Sequence, residues 1–182
     1  FPRDLCGDNL KPDAPLPPPT WAETCDWWRE QFLWWRRQRL GGEPYACSHS
    51  LESYYDRFLK DHPDWFAQGY EGKPPQVCYT SPGLIAQVVQ DARDFFDGQP
   101  KHPGTQAAGN FFAVVPMDNG AYCKCPNCRA QWLDKPKRGA GLFSNDRVSN
   151  YLFGFVNKVA REIGKSHPGK WISTLAYCEY GT

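Results

Sequence analysis

An excess of charge of either sign is what this sequence most plainly lacks: 21 Lys and Arg stand against 20 Asp and Glu, for a formal net charge of +1 over 182 residues. A chain so close to neutral gives no electrostatic reason to expect a nucleic-acid or anionic-membrane partner. It also lacks any apolar run approaching the length of a bilayer span, so no membrane span is expected. No signal-peptide pattern is visible. The first residue is Phe1 rather than Met, which leads to the expectation that an upstream segment has been removed or left out. Residues 1–20 lack apolar periodicity and contain six prolines, so they read as an extended lead-in from something upstream.

Aromatic residues are abundant, with 8 Trp, 9 Tyr and 11 Phe, and together with 17 Pro and 16 Gly they suggest a loop-rich α/β protein whose rings mostly form core. Eight cysteines could make an oxidised framework. Three of them, however, are packed into CKCPNC, too close to pair comfortably with one another, and metal binding is the better reading of that group.

The chain is organised around NFFAVVPMDNGAYCKCPNCR, from Asn110 to Arg129. Phe111 to Val115 is a short apolar run of β-branched and aromatic residues, the pattern of a strand buried on both faces. Pro116 brings no N–H and ends the ladder. Asp118-Asn119-Gly120 is a turn signal, and the turn delivers Cys123, Cys125 and Cys128.

Thr20 can cap a helix over Trp21 to Arg39, with Trp21, Cys25, Trp28, Phe32 and Trp35 on one side. Glu43 to Ser48 reads as a strand ending at His49, and Leu51 to Lys60 as a short helix. WFAQGYEGKPP reads as a hairpin or excursion. Gln76 to Thr80 reads as the next strand, carrying Cys78. Ser81 caps a helix with Pro82 at its first position, running to Phe96 and burying Leu84, Ile85, Val88, Val89, Ala92 and Phe95. Asp97 to Gly109 is a polar loop. Ser144 or Asn145 caps the clearest helix, in which Val148, Tyr151, Leu152, Phe155, Val156, Val159 and Ile163 recur at steps of three and four. Trp171 to Tyr177 is a final strand ending at Cys178-Glu179-Tyr180. Four strands joined by helical crossovers predict a parallel sheet, whose sites lie at the carboxyl ends of its strands. Those ends carry His49, Cys78, Asp118 with the cysteine loop, and Glu179.

Three thiolates from one short loop match zinc's preference for tetrahedral sulfur and nitrogen ligands. The fourth ligand must come from elsewhere: Cys78 is the first choice, with Cys178 and His49 behind it. A site closed by four protein ligands is structural, and would pin the loop at residues 118–132. Thiols free of metal, or a disulfide, are the alternative.

The succession CSHSLESYYDRFLKDHPDWFAQ, PPQVCYTSPG, VVPMDNGAYCKCPNC, FVNKVAREI and ISTLAYCEY resembles a bacterial domain family long labelled as of unknown function. That family is related to β-N-acetylglucosaminidases acting on complex N-glycans and, more distantly, to α-glucuronidases. The resemblance runs from about Trp34 to Glu179, and the acidic turn with C-x-C-x-x-C is its most specific part. It implies an exported, periplasmic or extracellular glycoside hydrolase with a (β/α) barrel. Since a complete barrel takes about 250 residues, the expectation is a part of a TIM-like barrel over residues 21–182, belonging to a longer chain with further barrel segments or domains. A glycosidase needs one carboxyl to protonate the leaving oxygen and a second group as base, nucleophile or stabiliser. The strand-end carboxyls that fit are Asp118 and Glu179. His49 and Asn119 are candidates for contacting a glycan, and Tyr122, Trp132 and Tyr180 for stacking on one. The alternatives are a non-catalytic glycan-binding or scaffolding domain and, less in keeping with the near-zero charge, a nucleic-acid zinc knuckle.

Overall fold

A computed structural model describes residues 20–37, 45–133 and 147–176. The chain divides into two units, residues 1–43 and 44–182. In the first, helix α1 spans Trp21–Arg37. Its first turn closes through the Thr24 N–H on the Thr20 carbonyl, with the Thr24 hydroxyl on the same oxygen. Trp27 and Trp28 meet edge to face at 4.8 Å. Trp28, expected on the apolar side, is half exposed.

The second unit holds α2 (Ser53–Phe58), a 3-10 turn (Pro63–Trp65), α3 (Pro82–Phe96), β1 (Ala107–Ala108), β2 (Phe111–Ala113), α4 (Pro126–Arg129), α5 (Ser149–Ser166) and β3 (Trp171–Ser173). Helix α3 begins as its sequence dictates: the Ser81 hydroxyl accepts the Leu84 N–H, and Pro82 occupies the first turn, where no N–H is missed. Leu84, Val88, Val89 and Ala92 form its buried stripe, with Ile85 and Phe95 half buried. Helix α5 buries Tyr151, Leu152, Phe155, Val156, Val159 and Ile163. The two helices pack together, and Tyr79 sets its ring edge-on to Tyr151 and Phe155 at 5.6 and 5.0 Å.

One acid lies on that apolar stripe. Asp91 is 4% exposed and accepts a two-pronged contact from Arg57 at 2.6 and 2.8 Å, together with the Tyr54 hydroxyl and the Gln87 amide. Burial alone would raise its pKa, but these donors hold the carboxyl below the usual range.

The expectation of a parallel TIM-like barrel is overturned by the sheet of the described residues. Among the described residues three strands run in the order β1-β2-β3 as an open sheet, with β1 antiparallel to β2 and β2 parallel to β3. Two of the four expected strands do not join it. Residues 45–48 are irregular, and Gln76 to Thr80 makes one antiparallel bridge, Val77 to Phe66. The reason is local. The Gln76 carbonyl and the Cys78 N–H are taken by Ala67 and Trp65, so this stretch closes the hairpin that WFAQGYEGKPP begins. A short apolar run shows that a segment is buried and extended, without naming its partner. Conversely, part of the loop expected over Asp97 to Gly109 pairs as β1, turning into β2 through Gly109 at φ +57°.

The central strand is nonetheless where the sequence puts it. Phe112, Ala113, Val114 and Val115 are buried, and the Val114 N–H continues the pairing onto the Ser173 carbonyl. The chain then leaves the sheet at Pro116, makes the acidic turn and the cysteine loop, and returns through α5 to β3.

Candidate metal centre and acidic cleft

Cys78, Cys123, Cys125 and Cys128 bring their sulfur atoms within 4.8 Å of one another. Cys78 Sγ lies 3.6 Å from Cys128 Sγ and 3.9 Å from Cys125 Sγ. A tetrahedron with metal–sulfur bonds of about 2.3 Å has edges of about 3.8 Å, which these two distances match, so the four sulfurs could hold a metal ion. Both distances are also far outside the ~2.05 Å of a disulfide, and all four cysteines are free. The two segments reach this arrangement by different means. The hairpin bridge at Val77 carries Cys78, whereas Cys125 is the N-cap of the single turn α4 and accepts the Cys128 N–H at 3.4 Å. Pro126 fits the first position of that turn without losing a bond.

Around the sulfurs stands a set of donors. The Tyr151 hydroxyl, from α5, donates to Cys128 Sγ at 3.1 Å, and Thr80 Oγ1 lies 3.1 Å from the same sulfur. The Gln68 N–H donates to Cys123 Sγ at 3.3 Å. Donors aimed at sulfur stabilise thiolate charge and orient ligands around a metal. The sulfurs also order one another's protons. Hydrogen bonds from Cys123 and Cys128 hold the Cys78 thiol far below its ordinary range, to about 2. Cys123 is drawn down by Cys128, but Cys78 and burial push it up to about 11. Cys123, Cys78 and burial together raise Cys128 strongly. Without a cation, then, the first thiolate forms readily and the later ones are opposed by the charge beside them; a bound divalent cation removes that opposition.

A strap crosses the loop. Lys124 N–H donates to the Gln68 carbonyl at 3.0 Å, Tyr70 hydroxyl to the Tyr122 carbonyl at 2.8 Å, and Lys124 Nζ lies over the Tyr70 ring. Gly69 takes φ +86°, and a Cβ there would come within 2.9 Å of the Lys124 Cβ, so only glycine fits this crossing.

The acidic turn forms a second neighbourhood. The Asp118 side chain is 72% exposed, and its Oδ1 lies 3.8 Å from His49 Nε2. His49 Nδ1 bonds the Pro116 carbonyl. A carbonyl only accepts, so Nδ1 carries the hydrogen and Nε2 faces Asp118. Asn119 Oδ1 accepts the Ala121 N–H at 3.0 Å, the local bond expected of this turn. Asp118 and Asn119 line an open cleft of about 390 Å³ with Glu52, Tyr55, Lys73, Pro74, Pro75 and Met117. Lys73 Nζ lies 3.6 Å from Glu52 and over the Tyr55 ring.

The four expected metal residues are thus brought together, with Cys78 completing the set, and His49 stands by Asp118 instead of at the sulfurs. Tyr122 is 3% exposed and spends its ring on Trp132 and Tyr151, so its expected role of offering a face to a sugar is not available to it. Glu179, Cys178 and Tyr180 lie outside the described residues. Sequence reasoning missed Glu52 and Lys73 in the cleft and Thr80 and Tyr151 beside the sulfurs. Tyr151 sits on a helical stripe and was counted only as apolar, and nothing in the spacing of Glu52 or Lys73 points to a cleft. No helix among the described residues is long and apolar enough to cross a membrane.

A family described as "Domain of unknown function (DUF4838)" matches residues 20–182, so the chain belongs to that family. No curated protein and no solved structure matches it.

Proposed function

We propose, with membership of that family as the premise, that the domain serves hydrolysis of a β-linked N-acetylhexosamine at the cleft beside Asp118, and that a structural zinc ion fastens the loop bearing it. The observation that carries the hydrolase reading is the placement of Asp118: a carboxylate just past the central strand, on the lip of an open polar cleft, with an imidazole beside it. The resemblance to glycan-cleaving relatives supplies the substrate class and, with it, export and a place in a longer chain. Asp118 then protonates the leaving oxygen, or orients the substrate's own acetamido group, with Glu179 as the second carboxyl by resemblance. Glu52 adds a carboxylate to the same cleft, and Pro74, Pro75 and Met117 supply an apolar floor for a sugar's C–H face.

Zinc is supported by the donor set: four sulfurs within 4.8 Å of one another can fill all four positions of a tetrahedral ion and leave none for water or substrate, which is the signature of a structural site. The ion, when bound, supplies charge neutralisation and a cross-link between the 76–80 stretch and the cysteine loop.

A second reading has an observation in its favour. A general acid working near neutral pH is normally desolvated, whereas Asp118 is largely in water, which suits a non-catalytic glycan-binding domain. Chromogenic N-acetylhexosaminides and a glycan array separate the two. On the first reading Asp118→Asn lowers kcat about 10²- to 10⁴-fold at unchanged Tm. Array binding lost in Asp118→Asn, from a protein that cleaves nothing, establishes the second. Metal analysis is expected to give about one zinc per chain, and a metal-free protein with four reactive thiols overturns the zinc assignment.

A further inference from the structure

The acidic turn has no helix or strand of its own, yet its backbone is pinned by one side chain. Gln76 is fully buried. Its Nε2 donates to the Met117 carbonyl at 3.2 Å and to the Asn119 carbonyl at 2.6 Å, and lies 3.2 Å from Asn119 Oδ1. The two carbonyls are those on either side of Asp118. At the other end of the amide, Gln76 Oε1 accepts the Tyr79 hydroxyl at 2.5 Å. With a donor at one end and acceptors at the other, the amide has a single orientation. Burying an amide costs free energy unless it is hydrogen-bonded, and here each of its named contacts goes to the turn or to Tyr79. Two residues on, past the bridge at Val77, Cys78 enters the thiol cluster. One short stretch therefore clamps the near end of the loop with an amide and the far end with a thiol.

We propose that Gln76 is the positioning residue of the acidic turn: its amide, by holding the carbonyls that flank Asp118, sets where the Asp118 carboxyl enters the cleft. This rests on the cleft being the functional site, and the experiment separates the two ideas. Gln76→Glu keeps the shape while changing the donors. A neutral acid has one O–H to offer where the amide has two N–H groups, and an ionised one has none and faces two carbonyl oxygens.

In Gln76→Glu, the exchange protection of the Asn119, Gly120 and Ala121 amides is expected to fall at least tenfold relative to wild type at the same pH. Signals of Val88 and Val159 in the helices, and the metal content, should stay constant. If the protein hydrolyses glycosides, kcat should fall with little change in KM. Gln76→Met keeps the volume without either donor and should loosen the turn as well; it decides the matter if the acidic variant loses its helices. A turn that stays as protected as wild type in both variants overturns the proposal, whatever the activity. A turn that responds supports it even in a protein that cleaves nothing.

Discussion

The helix pair α3 and α5 and the loop between Met117 and Leu133 both reach into the same core, but different forces fix them. The helices present stripes of Leu, Val, Ile and Phe, and their position follows from burial of apolar area, about 25 cal/mol per Å². The loop has one short helical turn, and beside Met117 and the Tyr122 ring its buried groups are thiols and hydrogen-bonded backbone groups. Such groups stabilise a fold only when each finds its partner. The helices should therefore hold their shape without the loop's chemistry, while the loop depends on every contact of its own.

Three perturbations sharpen that contrast. Metal removal comes first, since structural zinc contributes about 10–16 kcal/mol in small zinc-binding peptides. A strong chelator, or Cys125→Ser, should abolish binding and expose amides from Gly120 to Trp132 to hydrogen exchange, while α3 and α5 remain protected. Release should become easier as pH falls, because protons compete for the thiolates. Loss of the helices at the same chelator concentration would show that the two regions are one cooperative unit. Next is Phe155→Ala, which empties a buried site beside Tyr79 and should cost about 3–5 kcal/mol in denaturant unfolding. It should lower the stability of the helices and of everything packed on them, with the zinc content of the folded fraction unchanged. The smallest effect is expected of Gly69→Ala: a side chain at φ +86° against Lys124 should cost about 1–2 kcal/mol, visible as local exchange in the strap and loop but not in α5. A loop indifferent to this change would mean that the strap carries no part of its order.

The helices were legible because their information is periodic and local. Leu84 to Ala92 and Tyr151 to Ile163 state both the element and its buried face, and Ser81-Pro82 states where α3 begins. The one acid on the α3 stripe, Asp91, was not read as buried, since Arg57 lies on another helix and no spacing links them. The cysteine loop was legible in its chemistry, three thiols in six residues, and in its best fourth partner, Cys78. The acidic turn was legible as a turn. What failed was the step from extended segments to a sheet. An extended run shows its burial but not its partner, and the partner of Gln76 to Thr80 is the hairpin arm at 65–67.

By itself the sequence determined the two core helices, a buried central strand within Phe111 to Val115, and a thiol set suited to a metal, because periodicity, caps and ligand spacing are all written within a few residues. Only the tertiary structure decided the open three-stranded sheet, the burial of Tyr122, and the grouping of Glu52, Lys73 and His49 around Asp118. It also decided that Gln76, an ordinary polar residue in the sequence, spends its amide inside the protein on the turn. Those outcomes depend on which distant backbone groups and side chains meet, and pairing across tens of residues leaves no local mark on the residues that make it.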